Sequence, residues 1–318
     1  MVETRIDGYF HIGLPRFQTA EMALAAMDAA GISKGIVCSF ETCPDLREVH
    51  RAYCLAPERF RVFGLALGAE PAEIEAGLNA QFDAGFEGMR LSLERLAEAP
   101  YILDVIGERG GIPLAVGSDA LAAQAAPLHV FLEKYPDSVV ISPHFAGPTD
   151  PAVFEANPDV RALYTHPRFH VVLSRQTLQQ PQVMEAWTRA LIAHVTWDRM
   201  MWGSEAPVLY WRDETLKGVA RWIERFSPTP AQLAGFAGGN AARVVFDRPI
   251  RPPRALALPY EPFDYELKRS APMFPNGLDA DTRLPGPLVA AWKRAGGDTV
   301  EPLSAFVSRI LLKAVQST

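Results

Sequence analysis

The sequence predicts a (β/α)8 TIM barrel over residues 1–248, followed by a Pro-rich extension over residues 249–318. Short apolar runs recur about every 25 to 30 residues, and segments with a helical period lie between them. The chain has 318 residues, of which 48% are hydrophobic and 21% charged, and this composition suits a globular protein with one large barrel. All seven histidines lie between His11 and His194, whereas the last 70 residues hold ten of the 27 prolines.

Eight short apolar runs are the predicted strands, because parallel strands covered on both faces are almost continuously apolar. In chain order these runs are Ile6 to His11, Gly35 to Phe40, Val62 to Leu67, Met89 to Leu93, Pro113 to Val116, Val139 to Ile141, Phe169 to Leu173 and Met200 to Trp202.

Helices are predicted between these strands. Apolar residues at helical spacing precede Gly31 and Gly85, and glycine is a common residue just after the end of a helix. Three later segments, around residues 128–135, 183–191 and 216–223, have the same period. Eight strands alternating with helices predict the barrel. The first strand continues into IGLPRF without a G-x-G-x-x-G pattern, which argues against a dinucleotide-binding fold.

The charge balance and the cysteines exclude several classes of protein. With 31 basic and 37 acidic side chains, the net charge is -6, so we expect neither nucleic acid nor a membrane surface as partner. Charged residues interrupt the N-terminal ten residues where a signal peptide needs an apolar run. Three cysteines within 17 residues suit reduced thiols. We therefore expect a cytoplasmic protein.

In a barrel of this kind, the active site lies at the C-terminal ends of the strands. Polar side chains are frequent at those predicted ends. Any one of them could simply end a strand at the solvent, but their joint occurrence favours a site. The candidates are Tyr9, His11, Cys38, Glu41, Arg90, Ser92, the segment 117–119, Ser142, His144, Ser174, Arg175, Ser204 and Glu205.

Five separated segments carry a resemblance to a known family. IDGYFHIG, GIPLAVGSD, FLEKYPDSVVISPHFAGP, DRMMWGSEAP and FAGGNAARVV, between about Ile6 and Phe246, resemble the amidohydrolase-related branch of the metal-dependent hydrolases. The resemblance implies a (β/α)8 barrel that hydrolyses or decarboxylates small carboxylated, often ring-derived, substrates.

The sequence departs from the metal-ligand pattern of that family. The resemblance implies two histidines on the first strand, and this chain has Tyr9 in place of the first and keeps His11. The fifth-strand histidine is replaced by Gly117, and the eighth-strand aspartate by Glu205. The sixth-strand histidine, commonly catalytic in the family, is His144. Catalytic metal sites normally need at least three protein ligands.

The leading hypothesis is a metal-independent hydrolase without a cofactor, acting on a lactone, ester or amide. Pyrone-dicarboxylate lactonases resemble this branch, and the resemblance implies that Glu205 activates water as a general base. His144 and His11 would then polarise the carbonyl, and Tyr9 would donate a hydrogen bond. The predicted substrate contacts are Arg90, Arg175, Ser92 and Ser174, with an arginine pairing to a substrate carboxylate.

Three alternatives remain open at this point. A divalent ion such as zinc could be bound by His11, His144 and Glu205, in a hydrolase or a decarboxylase, or Tyr9 could serve as a phenolate ligand. The missing ligand at Gly117 and the unperturbed pKa of tyrosine, near 10, argue against a metal site. The barrel could instead be inactive and bind a small molecule or a partner. Cys38 could act as a nucleophile beside a histidine, although GIVCSF is typical of a packed strand.

The extension from residue 249 to 318 contains repeated prolines, which exclude long helices and central strands over most of its length. A helix is predicted near its end, from Glu301 to Val315, with one apolar face. Because the extension is too apolar for a free linker, we expect it to pack on the barrel or on a neighbouring subunit of a homo-oligomer.

Overall fold

Eight strands form one parallel sheet in chain order, so the predicted barrel is confirmed. The computed structural model describes residues 5–117, 121–212, 214–263 and residue 294. The strands are β1 (Arg5–His11), β2 (Ile32–Cys38), β3 (Phe60–Leu65), β4 (Gly88–Ser92), β5 (Ile112–Val116), β6 (Val140–Ser142), β7 (Phe169–Leu173) and β8 (Met200–Trp202).

Hydrogen bonds join β1 to the segment after β8 and bring the two edges of the sheet together. The backbone N–H of Glu205 donates to the carbonyl of Tyr9 at 2.8 Å, and that of His11 donates to the carbonyl of Ala206 at 2.8 Å. The buried carboxylate of Asp7 accepts from the backbone N–H and the hydroxyl of Ser204. The first and eighth strand ends, which carry three of the predicted site residues, are therefore adjacent.

Helices cover the outside of the sheet. None of the helices in the described ranges is long and apolar enough to cross a membrane. They are α1 (Ala20–Ala30), α2 (Leu46–Leu55), α3 (Pro71–Asp83), α4 (Leu93–Glu98), α5 (Ile102–Glu108), α6 (Ala125–Lys134), α7 (Val153–Ala156), α8 (Pro158–Thr165), α9 (Pro181–His194), α10 (Leu216–Arg221) and α11 (Pro230–Ala234).

Buried apolar side chains form two clusters, one between the strands and the helices and one inside the barrel. The inner cluster includes Ile36, Ile112 and Met201 and is completed by Val245 and Phe246. These last two residues belong to a π-helical turn, Ala242–Phe246, that follows α11. The inner cluster is packed with side chains, so the space for a ligand lies at a barrel end.

The first residues of the extension contact the outer helices. The hydroxyl of Tyr53 on α2 donates to the carbonyl of Arg251 at 2.6 Å, and Arg47 forms an ion pair with Glu261 at 2.7 Å. Contacts divide the chain into the units Met1–Glu266 and Leu267–Thr318. The predicted helix from Glu301 to Val315 lies outside the described residues, and the boundary at residue 248 stays a prediction.

Candidate active site

A cavity of about 260 Å³ opens among the C-terminal strand ends. Four of the eight predicted site residues line it, namely Arg90, His144, Arg175 and Glu205. Gly117, which belongs to the candidate segment 117–119, also lines it, whereas the sequence did not single out the remaining lining residues. The described residues that line it are Arg16, Phe40, Arg90, Val116, Gly117, His144, Arg175, Glu205 and Val208.

Glu205 is the acidic residue among the described side chains that line this cavity. It follows β8 with a left-handed backbone (φ 56°) and is 1% exposed. Its Oε2 lies 2.8 Å from Nη2 of Arg212 and 3.7 Å from Nε of Arg175. Burial raises the pKa of Glu205 above its usual range, whereas the two guanidinium groups oppose that rise. The carboxylate is therefore more basic than an exposed one and is held beside cations.

Arg212, which contacts Glu205, was not among the site residues predicted from the sequence. Its Nη2 also lies 2.6 Å from Oε2 of Glu214, so one guanidinium bridges two buried carboxylates. Oε1 of Glu214 in turn accepts from the backbone N–H and the hydroxyl of Thr177, at 3.0 and 2.8 Å. The chain of contacts links the loop after β7 to the loop after β8. The run of charged residues in the segment WRDE could have drawn attention to Arg212, but the sequence does not show which carboxylate Arg212 contacts.

His144 sits in an unusual turn after β6. His144, Phe145 and Ala146 all have positive φ, at 55°, 57° and 52°, a conformation that costs non-glycine residues free energy. Two outer-helix side chains hold this turn. The indole N–H of Trp187 donates to the carbonyl of Phe145 at 2.7 Å, and the hydroxyl of Tyr164 donates to that of Ala146. Tertiary contacts therefore fix where His144 lies.

The hydrogen bonds of Ser174 favour one tautomer of His144. The hydroxyl oxygen accepts from the backbone N–H of His144 at 3.2 Å and lies 3.1 Å from its Nδ1. The hydroxyl is then free to donate to Nδ1, which leaves the ring proton on Nε2. Burial lowers the pKa of His144 well below its usual value, so the ring is neutral. Nε2 lies 3.6 Å from Oε1 of Glu205, too far for a direct hydrogen bond.

His11 lies at the same barrel end but does not line the cavity. Its Nδ1 lies 3.2 Å from the carbonyl of Cys38, and its ring packs against Phe17 and Phe40 at centroid distances of 5.0 and 4.3 Å. Its buried Nε2 has no hydrogen-bond partner in the described structure. Burial lowers the pKa of His11 well below its usual value. A catalytic role for His11 stays a prediction.

Tyr9 and Arg90 form a buried pair beside the two histidines. Nε of Arg90 donates to the hydroxyl oxygen of Tyr9 at 3.2 Å. The Tyr9 ring packs edge-on against His11 and His144, at centroid distances of 4.8 and 5.2 Å. Burial raises the pKa of Tyr9 well above 10, so this phenol keeps its proton at neutral pH. Tyr9 is thus a hydrogen-bonding group rather than a phenolate.

Ser92 and Cys38 have local roles in the structure. The hydroxyl of Ser92 accepts from the backbone N–H of Arg95 at 3.2 Å and caps the start of α4. Ser92 does not line the cavity. Cys38 is buried, and burial raises the pKa of its thiol to about 12. A thiol with that pKa is not an activated nucleophile, which favours packing over catalysis for Cys38.

The donors present do not fit a divalent metal ion. Position 117 is a glycine and supplies no ligand, and a Cβ there would lie 2.2 Å from Cδ1 of Leu93, so any side chain at this position would require Leu93 to move. Tyr9 is protonated and hydrogen-bonded to the guanidinium of Arg90, a cation that would repel a metal ion. In the parts of the chain that the structure describes, no three His, Cys, Asp or Glu side chains converge as a metal-binding group.

Comparisons with solved structures show the same fold. A probable 2-pyrone-4,6-dicarboxylic acid hydrolase from Acinetobacter baumannii with bound citric acid is 15% identical, with a TM-score of 0.59 over 77% of this chain and 99% of that one. An amidohydrolase from Burkholderia multivorans with bound zinc is 18% identical, with a TM-score of 0.57 over 77% and 100%. A 2,6-dihydroxybenzoate decarboxylase from Rhizobium is 15% identical, with a TM-score of 0.56 over 77% and 99%.

Most of the chain matches one family, whereas the solved structures above share only the fold with it. No curated protein matches the chain significantly. The model of the amidohydrolase family matches residues 13–246, which include every strand end from β2 to β8. This chain therefore belongs to the amidohydrolase family of enzymes.

Proposed function

We propose that the protein hydrolyses a small carboxylated cyclic ester, without a metal ion, by general-base activation of water. The observation that carries this proposal is the setting of Glu205. Its carboxylate faces a cavity of a size that suits a small molecule, is buried, and lies beside Arg212, Arg175 and neutral His144. A buried carboxylate with a raised pKa is a stronger base than an exposed one.

These positions support the following reaction. Glu205 takes a proton from water, and the resulting hydroxide attacks the ester carbonyl carbon. The Nε2–H of His144 donates a hydrogen bond to the oxygen on which negative charge develops. The ring C–O bond breaks, and the proton held by Glu205 passes to the leaving oxygen. One water is consumed, and the product carries a new hydroxyl group and a new carboxylic acid, which loses its proton to solvent to give the carboxylate.

The arginines that line the cavity account for the carboxylated substrate. Arg90 and Arg175 both face the space beside Glu205. A guanidinium pairs with a carboxylate through two parallel hydrogen bonds, which fixes orientation as well as adding affinity. We therefore assign substrate orientation to Arg90 and Arg175 and proton transfer to Glu205 and His144.

The test is turnover of a panel of carboxylated lactones, with release of CO2 from hydroxybenzoates measured in parallel because the fold is shared with a decarboxylase. We expect lactone opening and a loss of about 10²–10⁴-fold in kcat for Glu205→Gln. Glu224→Gln is the matched control, since Glu224 is half exposed and contacts Arg221. Release of CO2 without hydrolysis, binding without turnover, or full activity of Glu205→Gln would refute the proposal.

A further inference from the structure

A second cavity, of about 700 Å³, lies between the outer helices and the edge strands β1 and β8. Residues of α1 line it on one side, and residues of α10 and α11 line it on the other. It shares no described lining residue with the cavity around Glu205. Pockets that hold small molecules typically measure about 300–1,000 Å³, so this outer cavity is large enough for a ligand of its own.

Small side chains leave this space open. On α1, Ala26, Ala29 and Ala30 line the cavity, and their spacing places them on one face of the helix. Ala220 and Ala237 line it from the chain after β8. Larger side chains at these five positions would fill the space between the helices, as they do in a close-packed interior.

The charged residues of the cavity are mostly cations. Arg5, Lys217 and Arg221 line it together with one acid, Glu224, and every other described lining residue is apolar or aromatic. Nε of Arg221 lies 3.9 Å from Oε1 of Glu224. In the described ranges, neither Arg5 nor Lys217 forms a side-chain hydrogen bond or an ion pair. Positive charge without a carboxylate partner beside an apolar wall favours an anion with an apolar body.

We infer that this outer cavity binds a small amphipathic carboxylate, with its apolar body between α1 and α10 and its carboxylate held by the cations of the wall. Buried Trp202 and Phe236 line the cavity and offer the apolar body two aromatic surfaces. Cζ of Arg5 lies 5.6 Å from the centroid of the Trp202 ring, so an anion-binding group and an apolar surface are adjacent. The inference goes beyond the proposed function and does not depend on it.

Calorimetric titration of the full-length protein with decanoate, at low salt and below its micelle-forming concentration, tests the inference. We expect one decanoate per chain, bound at least about tenfold more tightly than decyltrimethylammonium, which has a similar chain and the opposite charge. Lys217→Glu should weaken decanoate binding about fivefold, because it reverses one charge of the wall. Ala29→Phe should weaken it at least about tenfold, because the ring occupies the space of the apolar body.

Each variant has a matched control outside the outer cavity. Ala25→Phe places the same ring at an exposed position of α1 that does not line the cavity, and Arg189→Glu reverses an exposed cation of α9. Arg175→Met removes a cation from the cavity around Glu205. All three should leave the decanoate affinity unchanged. A melting curve for each variant verifies folding.

Several results would overturn the inference. These are the absence of decanoate binding, equal affinities for the anion and the cation, and unchanged affinity in both Lys217→Glu and Ala29→Phe. A loss of binding in Arg175→Met alone would place decanoate in the cavity around Glu205. An oligomer that dissociates in Ala29→Phe, with no decanoate bound by the wild type, would show that a second copy of the chain covers the groove. None of these results depends on lactone hydrolysis, so the inference and the proposed function fail separately.

Discussion

Replacing Asp7 with Asn should change how the stability of the barrel depends on pH. Asp7 is 2% exposed and accepts from the backbone N–H groups of Ser204 and Tyr9, at 2.8 and 3.2 Å. Burial raises the pKa of its carboxyl group from 3.8 to about 6, although these hydrogen bonds oppose the rise. The contact between β1 and the segment after β8 therefore contains a carboxyl group whose neutral form is favoured by burial.

The sign and size of the effect follow from this pKa. Between about pH 4 and pH 6 the unfolded chain has lost the Asp7 proton, whereas the folded protein keeps it, so the free energy of unfolding falls as pH rises. A difference of about two pH units corresponds to ~3 kcal/mol. Asn at position 7 has no proton to lose and can still accept from Ser204. From pH 4 to pH 8, the free energy of unfolding of the variant should therefore rise by ~3 kcal/mol relative to that of the wild type.

Urea unfolding followed by tryptophan fluorescence measures this difference. The wild type and Asp7→Asn are unfolded at several pH values. All other titrating groups are the same in the two proteins, so their contributions cancel in the difference between the two free energies of unfolding. Asp28→Asn is the control, because Asp28 is an exposed partner of Arg59 at 2.7 Å, and loss of an exposed ion pair should change the free energy of unfolding by less than about 1 kcal/mol. The reasoning would be refuted if the difference in free energy of unfolding between Asp7→Asn and the wild type stayed constant from pH 4 to pH 8. It would also be refuted if the wild type became more stable relative to the variant as pH rises.

Three further predictions concern packing, thiol reactivity and assembly. Gly117→Ala should lower the free energy of unfolding by ~1–3 kcal/mol in urea, because its Cβ would lie 2.2 Å from Leu93; an unchanged midpoint would contradict this. Iodoacetamide should label exposed Cys54 in the native protein and spare buried Cys38, as peptide mass spectrometry can show; equal labelling of both would contradict it. Sedimentation should show an oligomer for the full chain and a monomer after removal of residues 264–318. The same oligomeric state for both proteins would argue against an interface formed by these residues.

The barrel could be predicted from the sequence because buried parallel strands leave short, nearly continuous apolar runs. The last two strands have the predicted bounds, Phe169–Leu173 and Met200–Trp202. The second strand begins at Ile32, three residues before the predicted start. Ser33 and Lys34 are partly exposed at the N-terminal end of the barrel, so the apolar run does not begin until later. Burial along that strand is uneven, and an apolar pattern reveals only its buried part.

The candidate site could be predicted only in part. The strand-end rule brings Glu205, His144 and Arg90 to one cavity, because Glu205 and His144 follow strands within three residues and Arg90 lies two residues before the end of β4. Arg16 and Arg212 lie on the loops after β1 and β8. The positions of those loop residues depend on tertiary contacts, such as the aromatic rings around Arg16, and no local sequence pattern encodes those contacts.

The metal dependence of turnover tests most directly whether Glu205 activates water without a metal ion. The protein is purified without chelator, its metal content is measured by mass spectrometry, and lactone hydrolysis is then assayed with and without EDTA. We predict less than about 0.1 equivalent of any divalent metal per chain and equal rates in both assays, because the donors around Glu205 lack the ligands that a catalytic metal needs. One equivalent of zinc, with turnover lost on its removal and restored on its return, would contradict the proposed mechanism.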